Sequence, residues 1–467
     1  MVNIATLSQV FKPGVVSKLP RTLHTLGTNV LLIPIGIASS VLIARTIGPT
    51  GKGSFDLIIA TSTLLLTFLG LSLPAGVTYE VARGDTNIRK LVLRLVLLAG
   101  AQALICAALL AALVGFGKAS YFLPSEGQKW WILAIGAYVF LEMLASHWRA
   151  ILTGRQEITK SNHAELTVRL FQFALLFALA GVLYFNGSRI TVIVLFLVVF
   201  STSMLVNILL LRALWPAFRA EGTRNPIRGA FSFALPCYLG NLTQFLNYRL
   251  DLFILGVLAG YAAVGRYTLA VSLGQLIWLL STSAASVLLP KIAASSDGST
   301  DEIRAKQAIQ NTNRLNRLIF TASVISALLL GVAASQAIPL LYGEAFWPSF
   351  PALVLILPGI AVFSTVNILA AYIAGIGKPR LNLLVAVVAL IVTVGLDLYL
   401  IPRFGILGAS LASTASYSVS AILTITLYVR ATGSRLREIL FPTAEDLGFA
   451  LELAQPLLKR VRPQRAV

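Results

Sequence analysis

Charge is scarce in this chain, and most other reactive chemistry is scarcer. Lys, Arg, Asp and Glu together make up 12% of 467 residues, against about 25% in soluble domains. Two cysteines, Cys106 and Cys237, both lie inside apolar runs, which excludes a disulfide framework and a thiolate metal site. Three histidines occur, His24, His147 and His163, without an HExxH pattern. A Gly-rich phosphate loop ending in GK[ST], a GxSxG elbow and paired carboxylates in one short loop are all missing. The sequence therefore points away from an enzyme, and any uphill transport would draw on an ion gradient or on trapping of product rather than on ATP hydrolysis by this chain.

What is abundant is apolar length. Hydrophobic residues reach 57% and the mean hydropathy is +0.84. A bilayer core needs about 20 apolar residues in a helix, and this template fits twelve segments. They run 25–45, 55–82, 91–116, 130–153, 165–186, 190–213, 230–259, 266–290, 312–341, 350–375, 380–401 and 406–430. The expected fold is all-α: a polytopic membrane protein with twelve transmembrane helices. The N-terminal apolar run continues to Arg45 without a small-x-small cleavage site, so it reads as a retained helix.

The net charge of +19 sorts by loop. Of 37 basic residues, 29 fall at the termini or in loops after even-numbered segments, 7 fall in the opposite loops, and Arg249 alone is intramembrane. The positive-inside rule then makes both termini cytoplasmic. The charge is topological, and no nucleic-acid partner is expected.

The chain also repeats itself with a period of six segments. ARTIGPTGKGSFDLIIA follows the first segment and GVLAGYAAVGRYTLAVS the seventh. Each carries Gly-x4-Gly-x-aromatic: Gly48, Gly53, Phe55 and Gly260, Gly265, Tyr267. TGRQEITKSN after the fourth segment is likewise echoed by AGIGKPRLN after the tenth. An even repeat gives two bundles pointing the same way, related by an axis along the membrane normal. The expected parts are a cytoplasmic N-terminal segment 1–24, a lobe 25–213, a basic linker 214–229, a lobe 230–430 and a cytoplasmic tail 431–467. In the tail Leu447, Leu451, Ala454 and Leu458 recur at helical spacing, suited to the lipid surface.

Polar residues inside the segments are the candidates for function, because a charge at mid-helix costs roughly 2.5–3.5 kcal/mol on insertion scales. The seventh segment is richest. Asn241, Gln244, Tyr248 and Asp251 fall within roughly 80° of one another on a helix and form one stripe. Arg249 and Asp251 are two residues apart and face different directions, so they are not a self-neutralising pair. Arg249 needs Glu142, Asp397 or an anionic ligand, and a guanidinium grips phosphate with two parallel hydrogen bonds. Asp251, Glu142 and Asp397 are candidates for ion coupling or for pairing between lobes, with H+ or Na+ as the ion and no other cofactor. Arg45 and Arg266 sit at related mouths of the two lobes, where they would assist release of an anionic head group. Pro74, Pro236, Pro290 and Pro358 mark candidate breaks in the helices.

The runs RLDLFILGVLAGYAAVGRYTLA, LIARTIGPTGKGSFDL, LLYGEAF, AGIGKPRLNL and LIPRFGILGASLASTASY resemble the polysaccharide-biosynthesis flippases. These are often called Wzx-type and belong to the multidrug/oligosaccharidyl-lipid/polysaccharide exporter superfamily. The resemblance spans about residues 25–430. It implies two six-helix bundles in a V around a cationic cleft. It also implies alternating-access flipping of an undecaprenyl-pyrophosphate-linked oligosaccharide across the bacterial inner membrane for exopolysaccharide or O-antigen synthesis, with a polymerase and glycosyltransferases as partners. Arg249, Tyr248, Gln244, Asn241, Arg45 and Arg266 would then meet the substrate. The alternatives are a cation-coupled exporter of small organic molecules and a lipid II flippase. Lipid II flippases usually have fourteen helices and arginines in the first; here the first segment offers Asn29, Ser39 and Ser40. A glycan polymerase would need a large outer loop, and the longest here is about 117–129.

Overall fold

A computed structural model describes residues 21–443 and 446, apart from 85, 120–121, 124–127, 187–189, 220–226 and 297–301; side chains are described from residue 32, apart from those of 128, 184, 219, 227–228, 232–233, 236, 294–296 and 302. The expected surface-lying stretch beyond Leu447 and the first twenty residues lie outside the described residues. The described chain is helical almost throughout. In hydrocarbon every backbone amide must be satisfied within its own segment, and a helix does this.

The helices are α1 (Arg21–Gly70), α2 (Leu73–Ala82), α3 (Ile88–Gly115), α4 (Gln128–Gly154), α5 (Ile158–Phe185), α6 (Val192–Leu214) and α7 (Ile227–Leu258). There follow α8 (Tyr261–Gln275), α9 (Trp278–Ser296), α10 (Glu302–Ala337), α11 (Ser349–Gly375), α12 (Pro379–Phe404), α13 (Ile406–Thr432) and the short α14 (Leu436–Leu440). α1 holds two expected segments, separated by a kink at Gly48 (φ 64°, ψ −176°). Splitting α1 there, and joining α2 to its second arm and α9 to α8, gives twelve passes. Among the described residues nine helices meet the length and apolarity of a membrane span, and α8 with α9, bent by 50°, makes a tenth. α7 is outside that set; it is the helix that carries Asn241, Arg249 and Asp251.

Two of the expected proline breaks are absent. Pro290 and Pro358 lie inside unbroken α9 and α11. The 50° bend falls instead at Leu276–Ile277, which has no proline. There Leu276 and Ile277 amides turn back to the Leu273 and Gly274 carbonyls, and the Trp278 indole donates to the Ile360 carbonyl at 3.0 Å.

Contacts group the chain into two compact units, residues 1–245 with 260–265, and residues 246–259 with 266–467. In the first, Leu73, Val77, Ile88, Trp148, Ile151 and Leu210 share one buried cluster. In the second, α13 packs on α11 and α12 through a face of small residues: Gly408, Ala409, Ala412, Ser416, Ser420 and Thr424. Small residues let membrane helices approach closely where lipid offers no hydrophobic drive.

The repeated Gly-x4-Gly has a geometric reason. Gly48 and Gly260 both hold positive φ, 64° and 80°, and make the turn that ends one helix. Gly53 and Gly265 face each other within the first unit. A Cβ on Gly53 would strike the Tyr261 carbonyl, and one on Gly265 the Pro49 carbonyl.

Candidate functional site

The first unit contains a broken helix beside a polar cavity. Between α1 and α2, Leu71 and Ser72 take left-handed backbone angles (φ 49° and 51°). Each costs roughly 1–2 kcal/mol for a non-glycine residue. Pro74 two residues later sits in the first turn of α2. The break frees carbonyls, and the Gln102 amide of α3 donates to one of them, Leu69, at 2.6 Å. The Asn241 amide of α7 donates to the Ser72 hydroxyl at 2.9 Å.

A cavity of about 360 Å³ adjoins the break, and its wall includes Ser72, Glu142, Ser146, His147, Arg149 and Asn241. Glu142, Ser146 and Arg149 are spaced i, i+4, i+7, so α4 presents them on one face. Ser203 of α6 donates to Glu142 Oε1 at 2.6 Å. Arg149 pairs with Glu165 at 3.1 Å, and Glu165 also takes Arg169 at 2.9 Å. His147 is 2% exposed, and its Nδ1 has no hydrogen-bond partner.

The second unit contains a pair of buried carboxylates. Tyr267 donates its hydroxyl to Asp251 Oδ2 at 2.5 Å, and the Leu252 amide donates to Oδ1 at 2.8 Å. The same Tyr267 oxygen lies 3.0 Å from Ser413 Oγ. Asp397 is fully buried, neither of its oxygens has a hydrogen-bond partner, and it is near enough to Asp251 for their charges to interact. It is therefore not the interfacial charge that a position near a helix end suggests. An unpaired buried charge is expensive. One turn earlier on α12, Thr393 bonds the Ser416 hydroxyl at 2.6 Å.

Arg249 forms no ion pair with either carboxylate, although its charge reaches Asp251. Among the described residues no carboxylate lies within ion-pair distance of it, Asp251 included. The ring of Tyr248, a residue of the polar stripe, packs in an aromatic cluster, with ring centroids 5.3 Å from Trp278, 6.0 Å from Phe363 and 6.4 Å from Tyr417. Asn247 donates to the Ala386 carbonyl at 2.8 Å. Gln244 is half-buried. Arg266 donates to the Ala345 carbonyl at 3.0 Å, and Arg45 lines a surface pocket with Gly48, Gly51 and Thr191.

The structure thus brings Asn241 to Glu142 in one unit and Asp251 to Asp397 in the other. Sequence reading had no means of finding Ser203 and Ser413, partners drawn from distant helices, and marked Tyr267 only as the aromatic of the repeated glycine motif. Pro74 was the visible sign of the break at Leu71–Ser72. Among the described residues no cluster of three or more His, Cys, Asp or Glu could hold a metal.

The model of a family described as polysaccharide biosynthesis protein matches residues 22–296. A probable flippase, AglR, of Haloferax volcanii is 26% identical over 212 residues, 44% of this chain and 42% of that protein. The chain spans about half the length of the curated relatives it matches. Among solved structures, an inward-facing multidrug resistance MATE family transporter of the MOP superfamily superimposes with TM-score 0.71 at 14% identity, covering 85% of this chain and 94% of that one. The lipid II flippase MurJ, in an inward closed conformation, gives TM-score 0.67 at 12% identity over 95% and 94%. At these identities the likeness is one of fold.

Proposed function

This chain belongs to the polysaccharide biosynthesis protein family, and from that premise we propose that it flips an undecaprenyl-pyrophosphate-linked oligosaccharide from the cytoplasmic to the outer leaflet of a bacterial inner membrane. It works by alternating access of two six-helix lobes, 25–213 and 230–430, and both termini are cytoplasmic by the distribution of basic residues. The product feeds a surface polysaccharide assembled by a polymerase and glycosyltransferases.

The observation that carries this reading is Arg249. A guanidinium on a membrane helix with no carboxylate at ion-pair distance among the described residues has room for an anion, and a pyrophosphate supplies one. Arg binds phosphate through two parallel hydrogen bonds. Moving a diphosphate through hydrocarbon unaided would cost many kcal/mol; Arg249, with Gln244 on the same helix, replaces the lost hydration. Arg45 and Arg266 serve release at the outer mouth.

A second reading has its own support. Asp251 and Asp397 form a buried acidic pair, which suits a transporter whose cycle is coupled to H+ or Na+. The pair fits a coupled flippase as well as a cation-coupled exporter, so it bears on drive rather than on cargo.

The test is complementation. In a strain lacking the chromosomal gene, the wild-type chain restores surface polysaccharide and Arg249→Ala at equal protein level does not. Full polymer with Arg249→Ala would refute the role assigned to the guanidinium.

A further inference from the structure

The cavity beside the break between α1 and α2 has features that the phosphate reading leaves unused. Its charges cancel locally: Arg149 is held by Glu165, Glu165 also holds Arg169, and Glu142 presents a carboxylate to the space. An anion entering here would find no uncommitted cation and one negative wall. The wall sets Ser72, Glu142, Ser146, His147 and Asn241 beside the apolar Leu66, Pro74 and Met143, a mixture that suits a sugar ring better than a lipid tail.

The remaining valences are those that hydroxyl groups satisfy. Asn241 spends its amide hydrogen on Ser72, which leaves its carbonyl oxygen to accept and the Ser72 O–H to donate. Glu142 accepts from Ser203 through one oxygen and retains the capacity to accept more. His147 keeps a buried nitrogen without a partner. A sugar hydroxyl both donates and accepts, so neighbouring hydroxyls on one ring match this alternation. The space suits a ring as well, since about 360 Å³ equals the share of about twelve waters at roughly 30 Å³ each. Gly70 borders it, and a Cβ there would meet nothing within 4 Å. The strained residues Leu71 and Ser72 hold the break open at this point, and strain of this kind gathers at ligand sites.

We infer that this cavity, walled by Ser72, Glu142, His147 and Asn241, is a subsite for sugar hydroxyls of the lipid-linked substrate, distinct from the group that grips its phosphates. The inference rests on the flippase reading above and adds that the protein senses whether the lipid carries a sugar.

The experiment measures affinity of the purified full chain in lipid nanodiscs for two kinds of probe. One is bare undecaprenyl pyrophosphate; the other is a panel of the same lipid bearing a single hexose, N-acetylhexosamine or deoxyhexose. At least one sugar is expected to tighten binding about tenfold, the effect of one or two added hydrogen bonds. Glu142→Gln removes that increment and leaves affinity for the bare lipid unchanged. Gly70→Leu, which fills the space without deleting a polar group, does the same and covers the case in which Glu142→Gln fails to fold. If no sugar improves on the bare lipid, or if the increment survives both variants, the subsite is refuted and the flippase reading stands. If the variants lose the bare lipid instead, the cavity is a phosphate site and the inference fails. If the wild-type chain binds neither kind of probe, the flippase reading itself falls.

Discussion

Asp251 is bonded to Tyr267 at 2.5 Å, while Arg249, two residues away on the same helix, is not its ion-pair partner. A spacing of two residues on a helix separates side chains by about 200°, so the two charges face different directions. Asp251 therefore depends on a hydroxyl from α8 for the bond a cation would otherwise supply. Tyr267→Phe removes the donor and leaves a buried carboxylate short of one bond. A loss of about 1.5–3 kcal/mol is expected, read as a lower thermal midpoint in detergent. Asp251→Asn, which keeps an acceptor without the charge, is expected to lose less.

The Gly53 and Gly265 contact predicts a steric result. A single Cβ on either glycine meets backbone rather than a flexible side chain, so the helices must separate. Gly53→Ala and Gly265→Ala are each expected to destabilise the chain by about 1–3 kcal/mol. Gly100→Ala, where no atom lies within 4 Å of the added carbon, is the neutral control in the same thermal assay.

The break between α1 and α2 gives a prediction of opposite sign. Leu71 holds φ 49°, a conformation that glycine adopts without penalty. Leu71→Gly is therefore expected to be neutral or stabilising by up to about 1 kcal/mol, whereas Leu71→Val is destabilising because a β-branched residue resists that region most. Equal effects of the two variants on the thermal midpoint would show that the break stores no backbone strain.

The C-terminal segment is pinned by ions outside the membrane helices. Arg317 grips Asp446 through two bonds of 2.7 and 2.8 Å, Arg314 lies at 3.4 Å, and the Thr443 amide adds a third donor at 2.9 Å. The hydrogen bonds from Arg317, helped by Thr443 and opposed by burial, hold the Asp446 carboxyl well below the usual carboxylate range. A group whose pKa is lowered on folding stabilises above its unfolded value, about 3.9, and loses that contribution only as pH falls through its folded value. Docking is thus expected to be constant from pH 8 down to about 4.5. Asp446→Ala removes it at every pH, and trypsin should then cut at Arg435 and Arg437 about tenfold faster, the equivalent of one charged hydrogen bond.

Much of this was written in local sequence. Apolar length set the helices, and the repeated Gly-x4-Gly marked two positions whose φ is positive and two where backbones touch. The helical angle between Arg249 and Asp251 was enough to show that they are not each other's ion pair. What was hidden depends on distant partners. Ser203 reaches Glu142 across 61 residues, and Ser413 reaches Tyr267 across 146; no periodicity records such pairs. Tyr248 shows the same limit, since its angle on α7 placed it with polar residues while Trp278, Phe363 and Tyr417 claimed its ring. The bend at Leu276–Ile277 carries no proline, and beside it the Trp278 indole bonds the Ile360 carbonyl of α11, a partner 82 residues away.

The most direct test of transport is a flipping assay in proteoliposomes. A fluorescent undecaprenyl-pyrophosphate oligosaccharide is placed in both leaflets, and the fraction reached by an added glycosidase or quencher is followed with time. Wild-type chain is predicted to make the inner-leaflet pool accessible, with Arg249→Ala slower by about tenfold or more, as expected when a charged hydrogen bond to phosphate is lost. Accessibility that stays at the protein-free level with wild-type chain, with and without H+ or Na+ gradients, would contradict the account.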